Sequence, residues 1–206
     1  MSEFGGRVAV VTGAGSGIGR ALAVALAQRG ARVAASDVDE HGLAETARLI
    51  GDGHRADPLD VTDRAAVLAY AEEVAAAFGH VNQVYNNAGV ASAGDVLGSS
   101  FDDIEHVVDV DFWGVVNGTK AFLPHLVASG DGHVVNISSL FGLLSVPGQS
   151  AYNAAKFAVR GFTESLRQEM LLAGHAVRVT CVHPGGIKTT IARNATRSAA
   201  YADGKA

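Results

Sequence analysis

The sequence holds one cysteine, Cys181, in 206 residues, so no disulfide can form within the chain. Its neighbours Val179, Thr180 and Val182 read as a buried strand, and the thiol is expected to be a small core residue rather than a nucleophile. The net charge is −5 and basic residues never cluster, which argues against a protein that tracks nucleic-acid phosphates. No stretch approaches the about 20 apolar residues that span a bilayer. The first residues, Met1 to Arg7, lack the charged-then-apolar pattern of a signal segment, so a cytoplasmic protein without membrane contact is expected. Eight histidines are present, but no two stand at a metal-ligand spacing, and no metal is expected. Internal repeats, low-complexity tracts and linkers are also lacking. One domain over 1–206 is expected, with 192–206, rich in Ala, Arg and Ser, as a mobile end.

What is present is apolar and periodic. Hydrophobic residues make up 48% of the chain and charged residues 18%, enough for a sizeable core. Short apolar runs alternate with longer amphipathic ones. Strands are expected at Val8–Thr12, Arg32–Ser36, His54–Pro58, Val81–Tyr85, Val134–Ser138 and Val177–Val182. Helices are expected at 17–30, 40–50, from a cap at Thr62 or Asp63 to Phe78, at 101–129 as one long helix, and at 152–173. This alternation implies an α/β fold, a doubly wound parallel sheet with helices on both faces. Ligands of such sheets bind at the C-terminal ends of the strands.

The first strand runs into Thr12-Gly13-Ala14-Gly15-Ser16-Gly17-Ile18-Gly19, which opens the first helix. Glycines there permit a tight turn and a close approach of backbone to a pyrophosphate. The helix N-terminus adds free N–H groups and a partial positive charge. A glycine-rich turn alone is weak evidence; its strand–turn–helix setting is what strengthens it. Asp37 ends the second strand, about 20 residues further on, where an acid can bind both ribose hydroxyls and repel a 2′-phosphate. Position 16 is Ser and position 38 is Val, so neither supplies a cation for that phosphate, and NAD is expected over NADP. The rival reading of Asp37 is a helix cap, since both Asp37 and Asp39 precede a helix.

Tyr152-Asn153-Ala154-Ala155-Lys156 sets a tyrosine and a lysine four apart, on one face of a helix. A free tyrosine, with a pKa of about 10, is a poor base at neutral pH. An ammonium beside it favours the phenolate, which could then exchange a proton with an alcohol or carbonyl. Such pairs are common on helix surfaces, and this one gains meaning from its company. Asn86-Asn87-Ala88-Gly89 follows the fourth strand, Asn136-Ile137-Ser138-Ser139 ends the fifth, and His183-Pro184-Gly185-Gly186-Ile187-Lys188-Thr189 follows the sixth.

In this ordered set, from about Gly6 to Thr190, the chain resembles the compact, single-domain, NAD-preferring members of the short-chain dehydrogenase/reductase family. The resemblance implies a Rossmann-type fold and hydride transfer between a nicotinamide and an alcohol or ketone substrate. It implies Ser139 as the group that polarises the substrate oxygen, with Ser138 structural. Tyr152 would be the general acid/base, and Lys156 would hold the nicotinamide ribose. The cofactor would lie against Gly13, Ser16, Gly17, Ile18 and Gly19 at the turn, and Asp37 at the ribose. Asp60 and Val61 would face the adenine, and Asn87, Ala88 and Gly89 would run along the cofactor. Pro184, Gly185, Ile187 and Thr189 would surround the nicotinamide. It also implies a homodimer or homotetramer through the helices that hold Asp111 and Tyr152, with Trp113 as an interhelical or subunit contact.

Two departures stand out. The family usually has an Asn-x-x-Gly in its long helix, where this sequence has Asp111-Phe112-Trp113-Gly114. The family's asparagine anchors a water through its backbone carbonyl. Asp111 keeps that carbonyl and adds a charge, which could strengthen the hold on Lys156 or offset its ammonium. Activity is expected to survive with an altered pH profile. The second departure is length: the family's C-terminal lid and seventh strand are expected to be absent. A catalytically silent NAD sensor on the same fold is the main rival, although a sensor has no need of Ser139, Tyr152 and Lys156 together. Nucleotide-sugar epimerisation would call for a larger substrate domain.

Overall fold

A computed structural model describes residues 4–187 and 195–197. The chain runs β1 (Val8–Thr12), α1 (Gly17–Gln28), β2 (Arg32–Asp37), α2 (Glu40–Ile50), β3 (Arg55–Pro58), α3 (Arg64–Phe78), β4 (Gln83–Asn86) and the short β5 (Ser92–Ala93). Next come α4 (Phe101–Val108), a π-helical turn (Asp109–Trp113), α5 (Gly114–Ala128), β6 (Gly132–Ile137), a 3₁₀ turn (Leu140–Gly142), α6 (Ser150–Leu172), β7 (Val177–Val182) and β8 (Thr196–Arg197).

Six strands form one sheet in the order β3-β2-β1-β4-β6-β7, all parallel. The doubly wound fold expected from the sequence is borne out. The order reverses between β1 and β4, so the loops leaving Thr12 and Asn86 open the crevice in which such sheets bind ligands. β1 is buried along its whole length because both its faces are covered. Val8 and Val10 pack with Val84 and Val134 under Val74, Phe122, Leu126 and Leu166. On the other face Ala9, Val11, Val33 and Ala35 pack under Ala23, Leu26, Leu43 and Ile50. No helix among the described residues is long and apolar enough to cross a membrane.

Two expectations need correction. The helix expected over 101–129 is interrupted at Asp109–Trp113, where the chain takes a π-helical turn. A π turn inserts one residue, which rotates the downstream helix by about 100° and is invisible to a search for a 3.6-residue period. Second, β7 is one-sided: Val177 and Val179 are buried while Arg178 and Thr180 are exposed. Cys181 is therefore half-buried instead of a core residue, and that partial burial pushes its thiol pKa up. Of the end segment 192–206, residues 195–197 are described, and Thr196–Arg197 pairs in parallel with Ser92–Ala93. The rest of that segment, and Thr189, lie outside the described residues.

Candidate active site

The glycine turn is shaped by contacts that leave no room for side chains. Gly13 has φ +65°, and a Cβ there would stand 2.6 Å from Ala88 Cα. A Cβ on Gly19 would collide with the Gly13 carbonyl. The first turn of α1 itself holds no acidic residue, and the Ser16 side chain does not cap it. Asn87 closes the turn from the neighbouring strand. Its side-chain amide donates to the carbonyls of Thr12 (2.9 Å) and Gly13 (3.1 Å). Thr12 replies with its hydroxyl, which accepts the amides of Asn87 (3.0 Å) and Ala88 (3.1 Å). Asn87 is thus a strut across the switch point, and Thr12 is a supporting residue that the sequence reading missed.

Asp37 accepts the Gly15 amide at 2.7 Å and the Asp39 amide at 2.9 Å. The helix cap is Asp39, whose side chain accepts from Gly42 N at 3.0 Å. Of the two acids that precede α2, Asp39 and not Asp37 is therefore its cap. A carboxylate has about four lone-pair positions, so Asp37 keeps capacity for hydroxyl donors beyond these two amides. The nearby cation is Arg20, and its donors are engaged. It pairs with Glu45 (2.8 Å) and donates to Thr46 and to the carbonyls of Gly15 and Gly42.

A cavity of about 520 Å³ runs from this turn across the sheet edge. Gly13, Ser16, Gly17, Ile18, Gly19, Asp37, Asp60, Val61, Asn87, Ala88 and Gly89 line it, and so do Ser139, Tyr152, Lys156, Pro184, Gly185 and Ile187. Its size falls within the roughly 300–1,000 Å³ of small-molecule sites. The structure thus brings the expected residues together around one space, apart from Asp111, which does not line the cavity, and Thr189. Val90, Ala91, His106 and Val110 also line it. No sequence signal marks these four, because they act through position and not through a motif.

At the far end of the cavity, α6 presents Tyr152 and Lys156. The Lys156 ammonium lies 5.5 Å from the Tyr152 ring centroid, and the ring packs edge-on against Phe141 at 6.2 Å. Ser139 begins the 3₁₀ turn, with its hydroxyl accepting the Phe141 amide at 3.1 Å. His183 holds the same residue from the end of β7, its Nδ1 lying 2.9 Å from the Ser139 carbonyl, a contact that requires the proton on Nδ1. Ser138, buried, donates to the Lys156 carbonyl at 2.9 Å and so fastens the strand end to α6.

Lys156 is only 3% exposed. Its Nζ donates to the Ile137 carbonyl at 3.3 Å and meets Asp111 Oδ2 at 3.2 Å. Asp111 is fully buried, and its Oδ1 accepts the Val90 amide at 2.7 Å. Burial pushes the Asp111 carboxyl pKa above its ordinary value, a rise that Lys156 and the Val90 amide oppose.

Comparison with known proteins agrees with this geometry. The sequence profile of the short chain dehydrogenases matches residues 7–200. The chain belongs to the short-chain dehydrogenase family. Among its relatives, SadH of Mycobacterium tuberculosis, named as an oxidoreductase, is 70% identical over 199 residues, covering 95% of this chain and 72% of SadH. The 3-oxoacyl-(acyl-carrier-protein) reductase FabG of Thermotoga maritima is 36% identical, over 89% of this chain and 75% of its own length. A short-chain dehydrogenase/reductase of Burkholderia phymatum, solved in complex with NAD, superposes with a TM-score of 0.90 at 39% identity, covering 94% of this chain and 70% of that one.

Proposed function

We propose that this short-chain dehydrogenase is an NAD(H)-dependent oxidoreductase that interconverts an alcohol and its carbonyl compound, with Tyr152 as general acid/base. One observation carries the reading: a single cavity joins the glycine turn and Asp37 to Ser139, Tyr152 and Lys156. The residues present fit a dinucleotide. The turn has no room for a Cβ at Gly13 or Gly19, the first turn of α1 carries no acid of its own, and the Asp37 carboxylate beside it could accept ribose hydroxyls. The Burkholderia phymatum relative, solved with NAD, supports the choice of cofactor. Asp37 and Arg20 favour NAD over NADP, since a 2′-phosphate would face the Asp37 anion while Arg20 is already paired with Glu45.

When bound, the nicotinamide supplies the hydride acceptor or donor. The chain's own residues manage the oxygen and its proton. The Ser139 hydroxyl holds the substrate oxygen. The Tyr152 phenolate takes the proton from the alcohol as the C–H hydrogen leaves with its electron pair and the C=O bond forms. In the reverse direction, the Tyr152 hydroxyl returns a proton to the carbonyl oxygen. The Lys156 ammonium, 5.5 Å from the Tyr152 ring centroid, would offer the donor left free by Ile137 and Asp111 to the ribose. Val90, Ala91 and Val110 give the substrate end apolar walls, and Phe141 packs against the Tyr152 ring. The same reading places the protein in the cytoplasm as a homodimer or homotetramer, with part-exposed Trp113 and Phe157 at the contact between copies.

Incubation with NAD or NADP and a panel of secondary alcohols tests this. The expected result is NADH formation with a clear preference for NAD. Tight NAD binding without turnover on any member of the panel would instead favour the sensor.

A further inference from the structure

The outer side of the glycine turn is held by two side chains that do not line the cavity, Arg20 and Thr46. Arg20 is a cation in the first turn of α1, where the helix dipole disfavours positive charge, so its place there needs a reason. Its contacts supply one. Nε donates to the Thr46 hydroxyl at 3.0 Å, and a terminal nitrogen donates to the carbonyls of Gly15 and, at 3.0 Å, Gly42. The other terminal nitrogen pairs with Glu45 at 2.8 Å. Thr46, on α2 and fully buried, donates its own proton to the Ala14 carbonyl at 2.7 Å, with the Gly42 carbonyl a longer alternative at 3.2 Å. Gly15 is thus held at both ends: Asp37 takes its amide and Arg20 its carbonyl. The packing is close, since a Cβ on Gly42 would stand 2.5 Å from the Gly15 carbonyl oxygen.

We propose that Arg20 and Thr46 are positioning residues for the dinucleotide: from behind the turn they hold the carbonyls of Ala14 and Gly15 away from the cavity, so that the turn is ordered for an anion before one binds. This rests on the reading of the glycine turn as a cofactor site. A carbonyl that swung towards the cavity would set its negative end against a phosphate, whereas carbonyls held outwards leave N–H groups to face it. Removing the Thr46 hydroxyl deprives the Ala14 carbonyl of its donor and Arg20 of an acceptor. Removing the guanidinium deprives the carbonyls of Gly15 and Gly42 of theirs. Either loss lets the turn sample other shapes, and affinity falls with the fraction of molecules already in the right one. Neither side chain reaches the reacting end of the cavity, so the effect falls on cofactor binding and not on the chemical step. Because both act on one turn, their effects overlap.

The test compares Thr46→Val, Thr46→Ser, Arg20→Met and the double variant Arg20→Met/Thr46→Val with the parent. Val74→Ala, in the core on the other face of the sheet, serves as a control for lost stability alone. The readouts are NAD affinity by calorimetry, KM for NAD and kcat at saturating NAD with an alcohol, and thermal melting. Thr46→Val and Arg20→Met should each weaken NAD binding about tenfold and raise KM in step, with kcat within about twofold of the parent. Thr46→Ser, which keeps the hydroxyl, should bind NAD within about twofold of the parent. The double variant should lose less than the product of the two single losses. Val74→Ala should melt lower and bind NAD as the parent does. Should Thr46→Val not fold, Arg20→Met, at a part-exposed side chain, carries the same test. Variants that melt lower yet bind NAD like the parent, a Thr46→Ser no better than Thr46→Val, single losses that multiply in the double variant, or a fall in kcat with KM unchanged overturns the proposal. A parent protein that binds neither NAD nor NADP would instead overturn the reading of the turn as a cofactor site.

Discussion

The carboxylate of Asp37 accepts the amide of Gly15 at 2.7 Å, so the acid at the end of β2 braces the glycine turn at the start of α1. One side chain therefore braces the glycine turn and places a negative charge at that end of the crevice. A Cβ on Gly15 would come within 2.9 Å of that carboxylate, so the two positions constrain each other.

Replacing Asp37 tests both roles at once. Asp37→Ser removes the anion that would repel a 2′-phosphate. The ratio of kcat/KM for NADP to that for NAD should rise at least about tenfold. The melting temperature should also fall, because the amides of Gly15 and Asp39 lose a charged acceptor. Steady-state kinetics with both cofactors and a thermal melt are sufficient. An unchanged ratio would show that Asp37 does not set cofactor specificity.

Gly19 offers a steric test. Its added Cβ would meet the carbonyl of Gly13 and the side-chain amide of Asn87, and backbone cannot yield as a flexible side chain can. Gly19→Ala should destabilise the fold by about 1–3 kcal/mol and abolish measurable NAD binding. Gly161, whose Cβ would meet nothing within 4 Å, provides the control. Gly161→Ala, in the middle of α6, should be neutral or stabilising by up to about 1 kcal/mol.

The fold and much of the site were legible in the sequence because their signals are local. The Gly13–Gly19 turn and the Tyr152/Lys156 pair are short spacings, and Ser139 stands at the end of a strand that its apolar run announces. What escaped depends on contacts between distant segments. Whether Asp37 or Asp39 caps α2 is decided by backbone angles within three residues, which composition does not reveal. Thr12 and Asn87 meet only because β1 and β4 are neighbours in the sheet. The ion pair of Asp111 with Lys156 depends on a π turn that leaves no trace in the hydrophobic period. Residue type did mark Asp111, as a departure from the family's asparagine, but not that its carboxylate meets the ammonium directly.

The raised pKa of Asp111 has a consequence for stability. An acid whose pKa is higher in the folded than in the unfolded state binds protons more tightly when folded. Its contribution is then greatest below the unfolded value of 3.8 and is lost as pH rises through the folded value. Asp111→Asn removes this dependence. Relative to the parent, the variant should therefore gain stability as pH is raised from about 4 towards neutrality. Urea melts of both proteins across that range measure it. A gap that moves against the variant as pH rises would mean that Lys156 and Val90 outweigh the desolvation of the carboxylate.

The most direct test of the central claim is single-turnover formation of NADH by the parent and by Tyr152→Phe, each saturated with NAD and a secondary alcohol that the parent oxidises. The substitution removes one oxygen and leaves the ring against Phe141. If Tyr152 moves the proton, NAD affinity should be equal in the two proteins and the rate should be lower in Tyr152→Phe by about 10²–10⁴-fold. Equal rates in the two proteins would contradict that role.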